Sequence, residues 1–325
     1  MLKLGSTDIN KMHLGSTEIK KAYLGGTLIY DKTGGAFTPI TATGGDAVYD
    51  YNDGSIDWRV HVFLSSDDFI VSNIGTNGEI EYMIIAGGGG GGGARFSGGG
   101  GGGAGGVLTN FGGTPLVISA TTYPIVIGAG SAGADYLTNT SPGSNSTAFS
   151  LTAIGGGGGK RRNWDGTTEA DGGSGGGAAG RSVNADDSTG GSGTAGQGND
   201  GGENLSTATE SSGGGGGGYS AAGEDGGVGV DADGGDGFDA SSYIGTTYGE
   251  SGVFAGGGGA GIRSNVGGLG GNGGGGNGYQ GTVGGAGENA LANTGGGGGG
   301  AGDATGASQN GGDGGSGIVV IRYKI

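Results

Sequence analysis

The chain has 325 residues, of which 98 are glycine and 4 proline, with no cysteine and a formal net charge of −16. Glycine at this level, against about 7% in ordinary chains, without a G-X-Y period or the roughly 15–20% proline or hydroxyproline of a triple helix, excludes collagen; the absence of cysteine excludes disulfide and thiolate–metal staples. The acidic balance argues against nucleic acid as a partner, because the 14 Lys and Arg are dispersed and phosphate-backbone binding needs them clustered.

Residues 1–33 open with LKLGSTDINK, MHLGSTEIKK and AYLGGTLIYD, a ten-residue repeat that aligns Leu4, Leu14 and Leu24, then Gly5, Gly15 and Gly25, then Ile9, Ile19 and Ile29. Each copy reads as strand, glycine turn and strand, so three copies predict a small β-meander. A meander of this size buries little core alone, so it is expected to dock, either on its own downstream domain or on a partner. Its sequence has no apolar signal core, and the chain has no run of the 18 to 20 apolar residues that spans a bilayer. Neither export by a standard signal nor membrane insertion is expected.

Residues 34–86 begin with the connection GGAFTPITAT and then predict strands at Ala47–Tyr49, Trp58–Phe63, Phe69–Val71 and Glu79–Ile85. The alternation of Trp58, Val60 and Val62 with Arg59, His61 and Phe63 predicts a half-buried strand. These strands form an expected β-base, closed by a C-terminal strand within 318–325. Between them lies a glycine-rich body, residues 87–317, with strand insertions at 107–154.

The body alternates glycine blocks such as 87–93, 98–106, 155–159, 172–180, 213–218, 256–261 and 295–302 with segments rich in aromatic, charged and amide residues, among them ARFS, KRRNWDGTTEA and FDASSYIGTTYGE. A flexible linker is the competing reading, but a random linker would not sort its side chains in this way. Nine residues in polyproline-II geometry make a rod of about 28 Å. Such a rod has no internal hydrogen bonds, so every N–H and C=O points outward and needs a partner. With hydrogen as the only side chain, neighbouring rods come close enough to bond backbone to backbone. The expected fold class is therefore mainly β plus irregular structure: a β-meander leader, a β-strand base and a bundle of packed polyglycine-II helices.

Four elements carry a resemblance: IEYMIIAGGGGGGGA at 80–94, GGAGGVL at 102–108, YPIVIGAGSAG at 123–133 and GGSGIVVIRY at 314–323. Together they resemble the glycine-rich domain family of bacteriophage tail proteins, over about residues 45–325, and the leader repeat is similar to leaders on phage tail and fibre proteins. The glycine blocks are also similar to those of receptor-binding tip adhesins of some T-even-like phages. The resemblance implies a tail-associated adhesin whose rods are scaffold and whose loops recognise a host surface glycan or outer-membrane protein, with residues 1–33 attaching it to other virion tail or fibre proteins. It implies a virion location after synthesis in the host cytoplasm. The ten-residue repeat stands where those adhesins have a fibre-capping region.

Rods that leave the base place their following loops at the far end, which marks 94–97, 160–170 and 262–266. The candidate receptor-binding residues are Arg95, Phe96, Lys160, Arg161, Arg162, Asn163, Trp164, Ile262 and Arg263, with Tyr243 and Tyr248 in a second aromatic loop. Trp beside Arg and amides is a composition that carries interface energy, and clustered cations attract carboxylate or phosphate. The same residues also suit a packing role, with Trp164 capping the bundle and the arginines pairing with neighbouring acids.

Catalytic chemistry has little support. IGGGGGKR lacks the first glycine and the Ser or Thr of a phosphate-binding loop; His13 and His61 are the two histidines and lie far apart in the chain; nothing singles out a carboxylate pair for glycoside hydrolysis. Residues 226–233 match the opening of a calcium β-roll repeat once, with Asp233 at its apolar position. No catalytic residue, metal site or cofactor is expected. The rival readings are a purely structural virion component and a surface-polysaccharide depolymerase.

Overall fold

The computed structural model describes residues 37–162, 169–180, 189–204, 206, 208 and 211–325, together with short strands within residues 3–31. It divides into two units, residues 1–39 and 40–325.

In the first unit β1 (Lys3–Leu4) pairs with β2 (Thr7–Asp8), β3 (Met12–Leu14) with β4 (Thr17–Ile19), and β5 (Lys21–Leu24) with β6 (Thr27–Asp31), all antiparallel. Each ladder pairs the two strands of one ten-residue copy, the third reaching back to Lys21 at the end of the copy before it.

The second unit is built on two antiparallel sheets. The strands are β7 (Thr41–Thr43), β8 (Ala47–Asn52), β9 (Asp57–Phe63), β10 (Asp67–Asn73), β11 (Glu79–Ile85), β12 (Val107–Thr109), β13 (Leu116–Val117), β14 (Thr122–Ile125), β15 (Ser146–Ala148), β16 (Leu151–Ala153), β17 (Phe238–Asp239), β18 (Val253–Phe254), β19 (Gly284–Gly285), β20 (Gly302–Asp303) and β21 (Ile318–Lys324). A single-turn helix α1 spans Ser241–Ile244. The larger sheet runs β12-β11-β21-β9-β8, with β13 also on β11, and the smaller runs β14-β10-β7. The C-terminal strand β21 thus lies at the centre of the larger sheet.

Period-two alternation sends Ile80 and Ile84, Phe63, and Val319, Ile321 and Tyr323 into a core shared with Phe69 and Val71 of the smaller sheet. The alternate residues Met83 and Ile85, Trp58, Val60 and Val62, and Ile318 and Val320 pack on Phe111, Ile244 and Phe254. Strand β9 is therefore covered on both faces rather than half-buried: His61 and Phe63 are as buried as Val60 and Val62, and Arg59 alone of the outward set stays partly exposed. Sequence alternation was misleading here because His61 has polar partners on both ring nitrogens, Nδ1 donating to the Gly44 carbonyl at 2.8 Å and Nε2 accepting from the Tyr323 hydroxyl at 3.0 Å.

The glycine blocks leave and re-enter this base as extended segments outside the named strands. Residues 98–106 show how they are held. Their N–H groups go to three neighbours in a period of three: Gly99, Gly102 and Gly105 donate to residues 295–301, Gly100, Gly103 and Gly106 to residues 154–160, and Gly101 and Ala104 to Gly214 and Gly217, at 2.8–3.0 Å. Their carbonyls accept from three further neighbours: from Gly180, Gly177 and Ser174, from Gly261 and Gly258, and from Gly92, Gly89 and Ala86. One run is thus bonded to six others, and from Gly99 to Ala104 every backbone N–H and C=O is satisfied without any side chain. Most positions in this arrangement have no room for a side chain. A Cβ at Gly101 would fall on the carbonyl oxygen of Gly258, and one at Gly102 on that of Gly89.

Runs at the edge of the bundle lack a neighbour on one side, and acidic or amide side chains supply the missing acceptors. Asp233 accepts from Leu269 N–H at 2.6 Å, Asp236 from Asn272 at 3.0 Å, Asp225 from Glu203 at 2.8 Å, Asp200 from Gly193 at 2.7 Å, Asp171 from Ser192 at 2.6 Å and Asp313 from Gly133 at 2.8 Å. Much of the negative charge of the body is therefore structural, because a carboxylate is an acceptor-only group suited to a row of exposed N–H donors.

Candidate functional site

The hydrogen-bond registers decide which loops share an end. Gly89 bonds Gly103 and Gly92 bonds Gly100, so the run leaving β11 turns back at residues 94–97, away from the sheet. Gly88 bonds Gly315 and Gly91 bonds Gly312, and Gly99 bonds Ala301. Residues 302–310 consequently lie at that same far end, where Ala94 bridges Gln309 and Gly98 bridges Gly302. Pairing of β19 with β20 and the bridge from Val266 to Gln280 bring 262–266 and 279–285 to the same place.

At this end Asp303 is the organising residue. Its side chain is fully buried and accepts from the N–H groups of Phe96 at 2.9 Å, Thr305 at 2.8 Å and Gly306 at 2.8 Å, and from the Thr305 hydroxyl at 2.8 Å. Burial alone would raise its carboxyl pKa, but these hydrogen bonds to the charged form hold it below the ordinary carboxylate value. The effect is to tie 94–97 to 303–306 and to hold Phe96 at φ 53, a left-handed conformation that bulky residues rarely adopt. The Phe96 ring lies over Gly306, where a side chain would strike it, and remains 39% exposed.

Arg95 is exposed beside it. Its Nε donates to the Gly306 carbonyl at 3.0 Å, a terminal nitrogen donates to the Tyr136 hydroxyl at 3.2 Å, and the guanidinium lies 5.0 Å from the Tyr136 ring centroid. Tyr136 belongs to a turn that Asp135 fixes by accepting from Leu137 N–H and from the N–H and hydroxyl of Thr138. The Thr138 hydroxyl, those N–H groups and the nearby Arg161 hold the Asp135 carboxyl low. Arg161 in turn donates to Asn139 at 2.9 Å. The geometry therefore brings Arg95, Phe96, Tyr136 and Arg161 to one surface.

The other predicted residues are placed differently. Lys160 and Ile262 are buried, 3% exposed each, at the ends of outgoing runs, and Arg162 and Arg263 are half-buried. Asn163 and Trp164 lie outside the described residues. Tyr243 and Tyr248 sit at the opposite end, on the sheet: Tyr243 stacks on Phe111 at 5.1 Å and Tyr248 on Tyr49 at 6.2 Å. Tyr136 and Asp303 were not singled out from sequence. The signal was there in GAGSAGAD, residues 128–135, a run whose glycines are interrupted by Ala and Ser because its outer side faces solvent, with Ala129 and Ala132 exposed.

Among the described residues no group of His, Cys, Asp and Glu is arranged to hold a metal ion, and no helix is long and apolar enough to cross a membrane. A profile of the glycine-rich domain matches residues 65–324, which covers β11, every glycine run and the closing strand β21.

The chain belongs to the glycine-rich domain family.

No curated protein matches it. Within this glycine-rich domain, the matched region starts just before β10 and ends with β21, so the sheet strands β10, β11 and β21 and the runs between them fall inside it while the leader hairpins lie outside it.

Proposed function

We propose that this protein is a phage tail-associated adhesin, in which runs of polyglycine-II helix form a scaffold and the loops at the end remote from the sheet bind a host-cell surface receptor. The polyglycine-II assignment rests on the period of three with which residues 98–106 distribute N–H and C=O groups among six neighbours, the arrangement that a threefold helix without internal hydrogen bonds requires. The tail association rests on the resemblance of residues 80–94, 102–108, 123–133 and 314–323 to phage tail sequences, with the leader repeat as the attachment element. On this reading the protein works by binding, without covalent chemistry, and resides in the virion.

The observation that carries the adhesin reading is the segregation of side chains. Loops that follow outgoing runs gather at one end, where Arg95 and Phe96 are exposed on a turn fixed by a buried carboxylate, whereas Tyr243 and Tyr248 at the other end are half-buried and stack on Phe111 and Tyr49. A rigid scaffold holding exposed, chemically diverse loops is how binding surfaces are commonly built.

The test is binding of purified full-length protein to a panel of bacterial hosts, with a variant carrying Arg95→Ala, Phe96→Asn and Trp164→Ala, after equal folding is shown by thermal melting. Binding by the parent and its loss in the variant are the expected result. Failure of the parent to bind any host, with virions that do not assemble when the distal loops are deleted, moves the structural-component reading ahead.

A further inference from the structure

Among the described residues of 40–325 the cationic side chains fall into two groups: Arg59, Arg322 and Lys324 belong to the sheet, and Arg95, Lys160, Arg161, Arg162 and Arg263 follow runs that leave it. The flanks of the bundle carry the carboxylates that accept from edge N–H groups. The described loop cations therefore lie at the distal end of the body, away from those edge carboxylates.

The two described acids beside Arg95 are engaged internally. Asp303 spends its oxygens on Phe96, Thr305 and Gly306, and Asp135 on Leu137 and Thr138. Among the described residues Arg95 has no carboxylate partner; its partners are the Gly306 carbonyl and Tyr136, both neutral. Those contacts hold the guanidinium in one orientation while leaving the residue exposed, so little side-chain freedom remains to be lost when it binds an anion. Next to it Phe96 offers an exposed ring on a turn that Asp303 fixes.

We infer that the distal tip binds an anionic saccharide, with a carboxylate or phosphate on Arg95 and the apolar face of a sugar ring on Phe96. The inference rests on the adhesin reading and names its ligand class. A planar guanidinium matches the two oxygens of a carboxylate or phosphate, and an aromatic face is the usual partner of the C–H side of a pyranose. An outer-membrane protein with acidic loops would use the cations but has less need of a rigid, exposed ring beside a single oriented arginine.

The probes are a hexuronate oligosaccharide, its carboxyl-reduced neutral counterpart and a phosphorylated oligosaccharide of the same length, titrated against the full chain. The expected result is saturable binding of one or both acidic probes, weakened by salt, with the neutral counterpart at least about tenfold weaker. Preference between the acidic probes identifies carboxylate or phosphate as the source. Arg95→Ala should lose about tenfold or more in affinity with Arg95→Lys intermediate, and Phe96→Asn, which suits a positive φ, should lose several-fold with an unchanged melting temperature. Equal affinity for the neutral probe, or an unaffected Arg95→Ala variant, overturns the inference. Host cells are then assayed after protease treatment and after periodate oxidation of their glycans. Binding that survives periodate but not protease overturns the glycan inference and leaves the adhesin reading standing; acidic-probe binding without any cell binding does the reverse.

Discussion

Arg322 and Glu81 stand directly opposite each other in the ladder between β21 and β11, and both are buried. Nε of Arg322 donates to Glu81 Oε2 at 2.8 Å, a second guanidinium nitrogen donates to the same oxygen, and the third donates to the Tyr243 carbonyl at 2.8 Å. The cation also lies 3.9 Å from the Trp58 ring centroid and 5.0 Å from those of Phe111 and Tyr243. The last strand of the chain is thus locked to the centre of the sheet by a fully partnered charge. Glu81→Ala should cost about 3–5 kcal/mol by leaving the cation unpaired, whereas Glu81→Leu with Arg322→Met should cost far less, because the desolvation of both ions is avoided. Urea denaturation of the three proteins measures this.

His61 gives the base a pH dependence. Burial is the main cause of a pKa below the ordinary 6.5, outweighing the hydrogen bond to Gly44. As pH falls the unfolded chain therefore takes up this proton first, so the stability associated with neutral His61 is present above about pH 6.5 and is lost as pH drops through the folded-state value. Unfolding free energies at about pH 7.5 and about pH 5 should show the decline, and His61→Gln, which is neutral throughout, should remove it at some general cost in stability. A slope that survives in His61→Gln assigns the titration elsewhere.

Glycine within the runs is required by distance. Gly101→Ala puts a methyl group on the Gly258 carbonyl oxygen and must push two runs apart, breaking hydrogen bonds on both sides; the expected loss exceeds about 3 kcal/mol. Gly54→Ala is the control, since that site is open and its φ of +97 alone is penalised, at about 1–2 kcal/mol. Soluble yield and melting temperature separate the two effects.

Asp303 should control the tip without controlling the fold. Asp303→Ala leaves the Phe96, Thr305 and Gly306 N–H groups without their acceptor, each worth about 1–3 kcal/mol when buried. Hydrogen exchange should accelerate at 94–97 and 303–306 while β9, β11 and β21 keep their protection. Because its pKa is lowered in the folded chain, the wild-type tip should show the same loosening only below the ordinary carboxylate value.

Edge carboxylates should tolerate loss of charge better than loss of an acceptor. Asp200→Asn retains an oxygen for Gly193 N–H, whereas Asp200→Ala does not. The alanine variant is expected to lose about 1 kcal/mol and the asparagine variant much less. Equal losses would mean that charge, not acceptance, matters at this edge.

Much of the base was legible because β-strands announce themselves by period-two apolar patterning: the strands around Trp58–Phe63, Glu79–Ile85 and 318–323 are found where alternation and β-branched residues mark them. Tyr243 and Tyr248 show the limit. An aromatic-rich loop reads the same whether its rings face solvent or a sheet, and only the partners Phe111, Tyr49 and Arg322 distinguish the cases. Lys160 and Ile262 stand where outgoing runs end, yet the last residue of a packed run is still inside the bundle.

By itself the sequence determined which backbone stretches can approach closely, since glycine is written residue by residue, and which side chains are kept out of those stretches. Only the tertiary structure decided which runs are neighbours and therefore which loops meet. Arg95, Tyr136 and Asp303 are brought together by hydrogen bonds between runs far apart in the chain, and identical glycines carry no information about their partners. The choice is made by the strands and loops at the run ends, whose packing sets the register of everything between them.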